Sequence, residues 1–273
     1  MITQFINYQK QVRGLSPRTC DEYEKHLRQF ATWARPQGLR WSTIKKQDVD
    51  RYTTERRETG LKPATVCLTV SVLRSIYRWM QHEGIMKTNP LQYSQSPKRA
   101  QTLPQPIDIV TIDKYLSSTP VDNADKMIHI FTALCTDTGM RIQEALDLDK
   151  TDIDFKNRSI RVHGKGNKER IVYYSKRFLE QMLKYCPLWQ HGKLFAGFDQ
   201  WTVRQMMSNY LGRWTTHPHP HQLRHTFATE LLNNNMPIES VSRLLGHSSV
   251  QVTERYARLT NNKLQQEFTK YHS

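Results

Sequence analysis

The first third of the chain carries apolar residues at helical spacing, interrupted by short breaks. Ser16 followed by Pro17 indicates a helix start, with the serine as N-cap and the proline in the first turn. The apolar positions that follow recur every three or four residues, at Tyr23, Leu27, Phe30 and Trp33. This stripe predicts an amphipathic helix whose apolar face packs against a core.

Two more helices are predicted before residue 90. One covers residues 47–59 and stops at Gly60, because glycine adopts the left-handed conformation that ends many helices. The other begins near Pro63, and its apolar face is made of Val66, Leu68, Val70, Leu73, Ile76, Tyr77 and Met80. Its opposite face carries Arg74 and Arg78, which either are solvated or contact the phosphates of a nucleic acid.

The helical pattern breaks down after Asn89 and Pro90. Residues 94–106 are polar, basic and rich in proline, without periodicity, which is typical of a segment between domains. We therefore predict a helical domain over residues 1–95, a linker over residues 96–106 and a second domain over residues 107–273.

The second domain combines helices with a few short strands. Helical patterns cover residues 126–138 and residues 141–148, and helices are again predicted from residue 176 to the end. Between them, three β-like runs occupy residues 153–155, 159–163 and 170–174. Short polar or glycine-containing turns join these runs, so they predict an antiparallel three-stranded meander. The fold class expected is mainly α (α+β).

The composition of the chain indicates which kind of partner it binds. The chain has 273 residues, of which 37% are hydrophobic, and a formal net charge of +15. That charge favours a polyanion, nucleic acid first, with an anionic membrane surface as the alternative. We find neither an apolar run of membrane-spanning length nor a signal peptide, so a cytoplasmic protein is expected. The four cysteines lie far apart in sequence and are expected to be reduced structural thiols.

Candidate chemistry is concentrated in four segments of the second domain. Thr138-Gly139-Met140-Arg141 precedes a helical run, and Gly164-Lys165-Gly166-Asn167-Lys168 forms the second turn of the meander. His221-Gln222-Leu223-Arg224 places a histidine and an arginine on one helix face, where both can reach one phosphate. Gly246-His247 is followed, nine residues after the histidine, by Tyr256.

In this order and at these spacings, the segments resemble the tyrosine recombinase (phage integrase) family. The family pattern is an arginine after a Thr-Gly turn, a β-hairpin lysine, His-x-x-Arg, Gly-His and then a tyrosine. The resemblance covers the second domain closely, and the first domain as a generic helical DNA-clamping module. It implies a helical N-terminal core-binding (SAM-like) domain and a mainly helical catalytic domain with a small antiparallel three-stranded sheet, arranged as a C-shaped clamp.

The resemblance also implies roles for individual residues. Arg141 and Arg224 would bind the non-bridging oxygens of the scissile phosphate, where guanidinium groups offer rigid bidentate donors. Tyr256 would be the nucleophile that forms a 3′-phosphotyrosyl bond, which conserves the energy of the phosphodiester and makes ATP unnecessary.

Proton transfer is assigned to the remaining family positions. His221 would accept the proton of the tyrosine and His247 would donate a hydrogen bond to the phosphate. Lys165 would protonate the leaving 5′-oxygen, with Lys168 as the fallback in the same turn. Glu144, which matches an acidic position of the family, is expected to orient catalytic groups rather than to react.

Other interpretations of single residues stay open. Arg141 could be the partner of an ordinary salt bridge, and Lys165 could be a solvated turn lysine. Histidines also cluster at His217, His219, His221 and His225. The last two have metal-ligand spacing, but an adjacent arginine would repel a divalent ion. We therefore expect no metal and no cofactor.

The function expected is site-specific DNA recombination through a Holliday junction, for integration or excision of a mobile element or for resolution of DNA multimers. The partner would be double-stranded DNA at a specific site, bound by a tetramer or by paired dimers. Residues 261–271 resemble the family's C-terminal helix, which would dock on a neighbouring subunit or on its own. Because the first module begins near Met1, a simple recombinase without an arm-binding domain is expected. The alternatives are topoisomerase-like relaxation and an inactive DNA-binding protein.

Overall fold

The computed structural model describes residues 1–92, 105–164, 169–186, 189, 191–246 and 253. The chain forms two compact units, Met1–Gln101 and Thr102–Ser273. Most of the predicted linker, residues 96–106, lies outside the described residues, so the domain limits stay a prediction.

The described part of the first unit, residues 1–92, is helical. Its helices are α1 (Ile2–Gln11), α2 (Pro17–Ala34), α3 (Lys46–Glu58) and α4 (Pro63–His82). Ser16 caps α2 as predicted, since its side chain accepts a hydrogen bond from the backbone N–H of Thr19. Leu27 and Phe30 are fully buried, and Tyr23 and Trp33 pack at the edge of the same core. The first helix, α1, was not predicted, and it contributes the buried Phe5 to this core.

The described part of the second unit is mainly helical. Its helices are α5 (Ile109–Ser117), α6 (Asn123–Thr138), α7 (Ile142–Leu146), α8 (Lys176–Tyr185), α9 (Gln200–Tyr210), α10 (Pro220–Asn233) and α11 (Ile238–Leu245). α6 lies at the centre, because it packs against α8, α9 and α10. Its residues are buried almost without interruption from Ile128 to its end.

A three-stranded antiparallel sheet, in the order β1-β2-β3, confirms the predicted meander. The strands are β1 (Ile153–Asp154), β2 (Ser159–His163) and β3 (Glu169–Tyr173). Ile160 pairs with Val172 and Val162 pairs with Arg170. Side chains alternate between the faces of a strand, so the side chain of Arg170 lies on the same face as that of the fully buried Val172.

The mainly α fold with a small sheet, expected from the sequence, is therefore confirmed. In the part of the chain that the structure describes, none of the helices has both the length and the apolar character that crossing a bilayer requires.

Candidate active site

The C-terminal end of α11 organises the candidate site. Three consecutive carbonyl oxygens there, those of Leu244, Leu245 and Gly246, each accept a hydrogen bond from a different arginine. The arginines are Arg170, Arg224 and Arg141, respectively, and they come from β3, α10 and the start of α7. The last carbonyls of a helix have no partner within the helix and carry partial negative charge, so they suit cationic donors.

Arg224 is the most enclosed of the three arginines, with a residue exposure of 1%. One terminal nitrogen, Nη1, donates to the carbonyl of Gly139 at 2.5 Å, and the other, Nη2, donates to the carbonyl of Leu245 at 2.7 Å. These two bonds fix the plane of the guanidinium between the end of α6 and the end of α11.

Arg141 keeps an accessible guanidinium, with 43% of its side chain exposed. Its Nη1 lies 2.8 Å from Oε1 of Glu144, and its Nη2 lies 3.4 Å from the carbonyl oxygen of Gly246. Its backbone N–H donates to Oε2 of the same glutamate at 2.8 Å. Glu144 therefore closes the N-terminus of α7 and orients the arginine that begins it.

Glu144 is held by a second arginine. Arg170 donates from Nη1 to Oε1 at 3.0 Å and from Nη2 to Oε2 at 2.7 Å, a bidentate pair. Burial alone would raise the pKa of Glu144, but the hydrogen bonds and charges of Arg170 and Arg141 outweigh it and lower the pKa to about 2. The carboxylate is therefore ionised throughout the range in which proteins function.

His221 lies in the first turn of α10 and within the electrostatic reach of Arg224 and Arg141. Partial desolvation by the surrounding protein lowers its pKa from the ordinary value of 6.5, and the charges of Arg224, His219 and Arg141 lower it further. The ring is neutral at neutral pH, which is the state that accepts a proton. The ring of His225 packs edge-to-face against it, with the centroids 4.9 Å apart.

The turn between α6 and α7 requires glycine at position 139. Gly139 has a φ of +62°, and a Cβ there would lie 2.4 Å from a ring carbon of Phe227 and 2.9 Å from a methyl of Leu245. The absence of a side chain lets α6 end against α10 and α11, which places the Gly139 carbonyl in reach of Arg224.

We expect Gly139→Ala to lower the free energy of unfolding by about 2–5 kcal/mol. Positive φ accounts for about 1–2 kcal/mol of this and the forced contact for about 1–3 kcal/mol. Gly197→Ala is the matched control, because Gly197 also has a positive φ but a Cβ would meet nothing within 4 Å. Urea denaturation of the two full-length variants tests this, and equal losses would contradict the steric argument.

The structure brings together three of the predicted site residues, Arg141, His221 and Arg224. The other three, Lys165, His247 and Tyr256, lie outside the described residues, as does the fallback Lys168. His221 and Arg224 were predicted to share one helix face. In the structure they differ in burial, since the histidine is exposed and the arginine is buried.

The histidine cluster was the basis of the metal alternative. Within the described ranges, no three His, Cys, Asp or Glu side chains are grouped so that they could hold a metal ion. Pro220 occupies the first turn of α10, and His217 precedes the helix with a φ of +48°.

Arg170 was not predicted to belong to the site. The signal was available, because the alternation of β3 puts a charged residue on the face that carries Val172. A charged side chain on the inner face of a strand usually has a specific partner, and here the partner is Glu144.

Comparison with known proteins identifies the family of the chain. The model of the phage integrase family matches residues 108–263. The model of the phage integrase N-terminal SAM-like domain matches residues 2–84. The chain therefore belongs to the phage integrase family, whose members cleave and religate DNA, and the predicted enzyme class, tyrosine recombinase, is confirmed.

Similar proteins extend over the full chain. The tyrosine recombinase XerC of Oceanobacillus iheyensis is 31% identical over 294 residues, which cover 99% of this chain and 95% of that protein. The tyrosine recombinase XerD of Listeria innocua is 29% identical over 296 residues, which cover 100% and 98%. These relatives favour site-specific recombination over the topoisomerase and architectural alternatives.

Solved structures agree on the fold. The Tn1549 transposon integrase in complex with transposon right end DNA superposes with a TM-score of 0.80 at 18% identity, covering 100% of this chain and 99% of that one. The XerH site-specific recombinase in a post-cleavage complex with a palindromic difH substrate gives a TM-score of 0.73 at 18% identity, covering 100% and 85%.

Proposed function

We propose that this tyrosine recombinase breaks and rejoins double-stranded DNA with Tyr256 as nucleophile and with Arg141, Lys165, His221, Arg224 and His247 as its catalytic partners. The observation that carries the proposal is the convergence of Arg141 and Arg224 on consecutive carbonyls at the end of α11, with His221 in their field. That end directly precedes His247 in sequence.

In the proposed first step, the phenol oxygen of Tyr256 attacks the phosphorus and the bond from phosphorus to the 5′-oxygen breaks. The phenol proton passes to neutral His221, and Lys165 supplies a proton to the leaving 5′-oxygen. In the reverse step, a 5′-hydroxyl attacks the phosphotyrosyl bond and Tyr256 leaves. One phosphodiester is exchanged for another, so no energy source is consumed.

Arg141 and Arg224 are suited to the charge that develops on the phosphate in the transition state. Both guanidinium groups are fixed by carbonyls or carboxylate before DNA arrives, so little reorganisation is needed during the reaction. Glu144 and the backbone carbonyls would hold the two guanidinium groups in a fixed relative position.

Double-stranded DNA is the proposed partner. The net charge of +15 supports it, and so do the neighbouring structures, which are recombinases in complex with DNA. Affinity that comes from phosphate contacts should fall steeply with salt. The palindromic substrate of XerH favours at least two subunits on one site, and we propose a tetramer or paired dimers. The predicted C-terminal docking helix lies outside the described residues.

Covalent trapping tests the proposal. A duplex that binds the wild-type chain is selected from randomised DNA, nicked next to the cleavage position so that the cut end is lost, and incubated with the protein in EDTA. We expect a protein–DNA adduct that resists denaturant, and peptide mapping should place it on Tyr256. A bound duplex without an adduct would favour an inactive DNA-binding protein. Relaxation of supercoiled plasmid by a monomer, without strand exchange, would favour the topoisomerase alternative.

The pH dependence of cleavage tests the role of His221. Because its pKa lies below 6.5, the midpoint of the acid limb of the single-turnover cleavage rate should lie below that ordinary histidine value. His221→Gln should lose this acid limb together with most of the rate. His191→Gln, the same change at an exposed histidine of the same unit, should retain both. An acid limb with its midpoint above 6.5 would argue against His221 as the proton acceptor.

A further inference from the structure

Arg170 connects three parts of the candidate site. Its bidentate pair with Glu144 reaches the start of α7, and its Nε donates to the carbonyl of Leu244 at 2.8 Å at the end of α11. Its own backbone belongs to β3, two residues after Lys168 in sequence. The glutamate that Arg170 holds is also the carboxylate partner of Arg141.

The ion pair of Arg170 and Glu144 is buried and is not a surface ion pair. Its side chain is 12% exposed and that of Glu144 is 7% exposed. The Cδ atom of Arg170 also limits the space at Gly246, where a Cβ would lie 3.0 Å away. The carbonyl oxygen of Gly246 in turn accepts a hydrogen bond from Arg141. A change at position 170 would therefore reach Arg141 by two routes, through Glu144 and through Gly246.

Because the ion pair of Arg170 and Glu144 is buried, solvent screens it little, and the loss of Arg170 should change the interactions of Glu144. Without Arg170, the buried carboxylate of Glu144 would keep one cationic partner, Arg141, and that partner is 43% exposed. The carboxylate would then draw the guanidinium of Arg141 toward itself as its sole counter-charge. The competing interaction, with a scissile phosphate, would weaken.

We infer that Arg170 is a positioning residue for strand cleavage. It neutralises the charge of Glu144 and donates a hydrogen bond to the end of α11. The guanidinium of Arg141 can then bind the phosphate instead of serving as the sole counter-charge of the glutamate. This inference rests on the proposed function, because it assumes that Arg141 binds the scissile phosphate. Arg170 itself contacts neither DNA nor the reacting atoms in this scheme.

Single-turnover cleavage of the selected suicide duplex by wild type, Arg170→Ala, Arg170→Lys and Arg161→Ala tests the inference. We expect Arg170→Ala to cleave about 10- to 100-fold more slowly at saturating DNA, with DNA affinity changed less than about threefold. Arg170→Lys should recover part of the rate, because an ammonium keeps the charge but not the fork. Arg161→Ala is the matched control, since Arg161 lies on the adjacent strand β2, is 50% exposed and is 3.8 Å from its nearest carboxylate, that of Asp152.

A double-mutant cycle with Glu144→Gln separates positioning from simple destabilisation. If Arg170 acts through the charge of Glu144, removing that charge should make the loss of Arg170 matter less, so the two effects should not add. The acid limb of the pH–rate profile gives a second readout. Because Arg170 is the main influence that lowers the pKa of Glu144, protonation of Glu144 should add a second acid-dependent fall in rate in Arg170→Ala, separate from the limb assigned to His221, and the double variant should lack it.

Three results would contradict a positioning role for Arg170. Cleavage by Arg170→Ala within threefold of wild type, a parallel loss of DNA binding, or additive effects with Glu144→Gln would each overturn it. If Arg170→Ala does not fold, as judged by its thermal transition, the same comparisons apply to Arg170→Lys. Wild type and Arg161→Ala report on the proposed function separately, because failure of both to form an adduct would reject that function itself.

Discussion

Tyr256→Phe is expected to abolish covalent adduct formation while leaving DNA binding intact. The substitution removes only the phenol oxygen, and no other group of the proposed site can form the phosphotyrosyl bond. We expect the rate of adduct formation to fall by at least about a thousandfold, since the chemical step loses its nucleophile. Tyr256 lies outside the described residues, so this prediction follows from the family pattern and not from a measured distance.

Tyr173→Phe is the matched control for this experiment. Tyr173 lies on β3 and is 62% exposed, so the same loss of a hydroxyl there should leave both binding and cleavage unchanged. Binding is measured by titration of the selected duplex, and the adduct is measured on a denaturing gel. Loss of DNA binding together with cleavage in Tyr256→Phe would mean that the tyrosine is structural, and undiminished adduct would mean that another residue is the nucleophile.

The second large effect is expected at Arg224. Replacing it by lysine keeps the positive charge but removes the planar fork that donates at once to Gly139 and Leu245. We expect the single-turnover cleavage rate to fall by about 100- to 1000-fold, as when a preorganised donor to a transition-state oxyanion is lost. DNA affinity should change much less, because many phosphate contacts contribute to it.

Arg243→Lys provides the comparison for Arg224→Lys. Arg243 is an exposed residue of α11, and the same substitution there should leave the cleavage rate unchanged. Thermal unfolding of both variants shows whether Arg224→Lys retains its fold, since lysine can still donate to one of the two carbonyls. Cleavage within tenfold of wild type by a folded Arg224→Lys would remove Arg224 from the catalytic set.

Helix starts and strand positions could be predicted from local sequence because their causes are local. A serine before a proline at the start of α2, and Gly60 just after α3, act through the backbone of their own turn. The predicted helix over residues 47–59 starts and ends one residue later than α3, because the terminal residues of a helix fray. α1 and α5 were not singled out, because short helices of mixed composition have a weak periodic signal.

The order and types of the candidate catalytic residues were also determined by the sequence alone. Thr138-Gly139-Met140-Arg141, His221-x-x-Arg224, Gly246-His247 and Tyr256 are enough to indicate the family, and the match over residues 108–263 confirms it. Motifs of this kind are readable because catalytic chemistry constrains residue type at each position, whatever surrounds it.

Only the tertiary structure showed how these motifs are held together. The arginines at positions 141, 170 and 224 bond to three consecutive carbonyls, which no sequence pattern indicates, because those partners are backbone atoms that every residue has. The burial of Arg224 was hidden as well, and the alternation of β3 could place Arg170 on the inner face but could not identify Glu144 as its partner, since pairing and burial depend on contacts between distant segments. Residue identity is local information, whereas the burial of a charge and the direction of its hydrogen bonds are decided when α6, α10, α11 and β3 pack together.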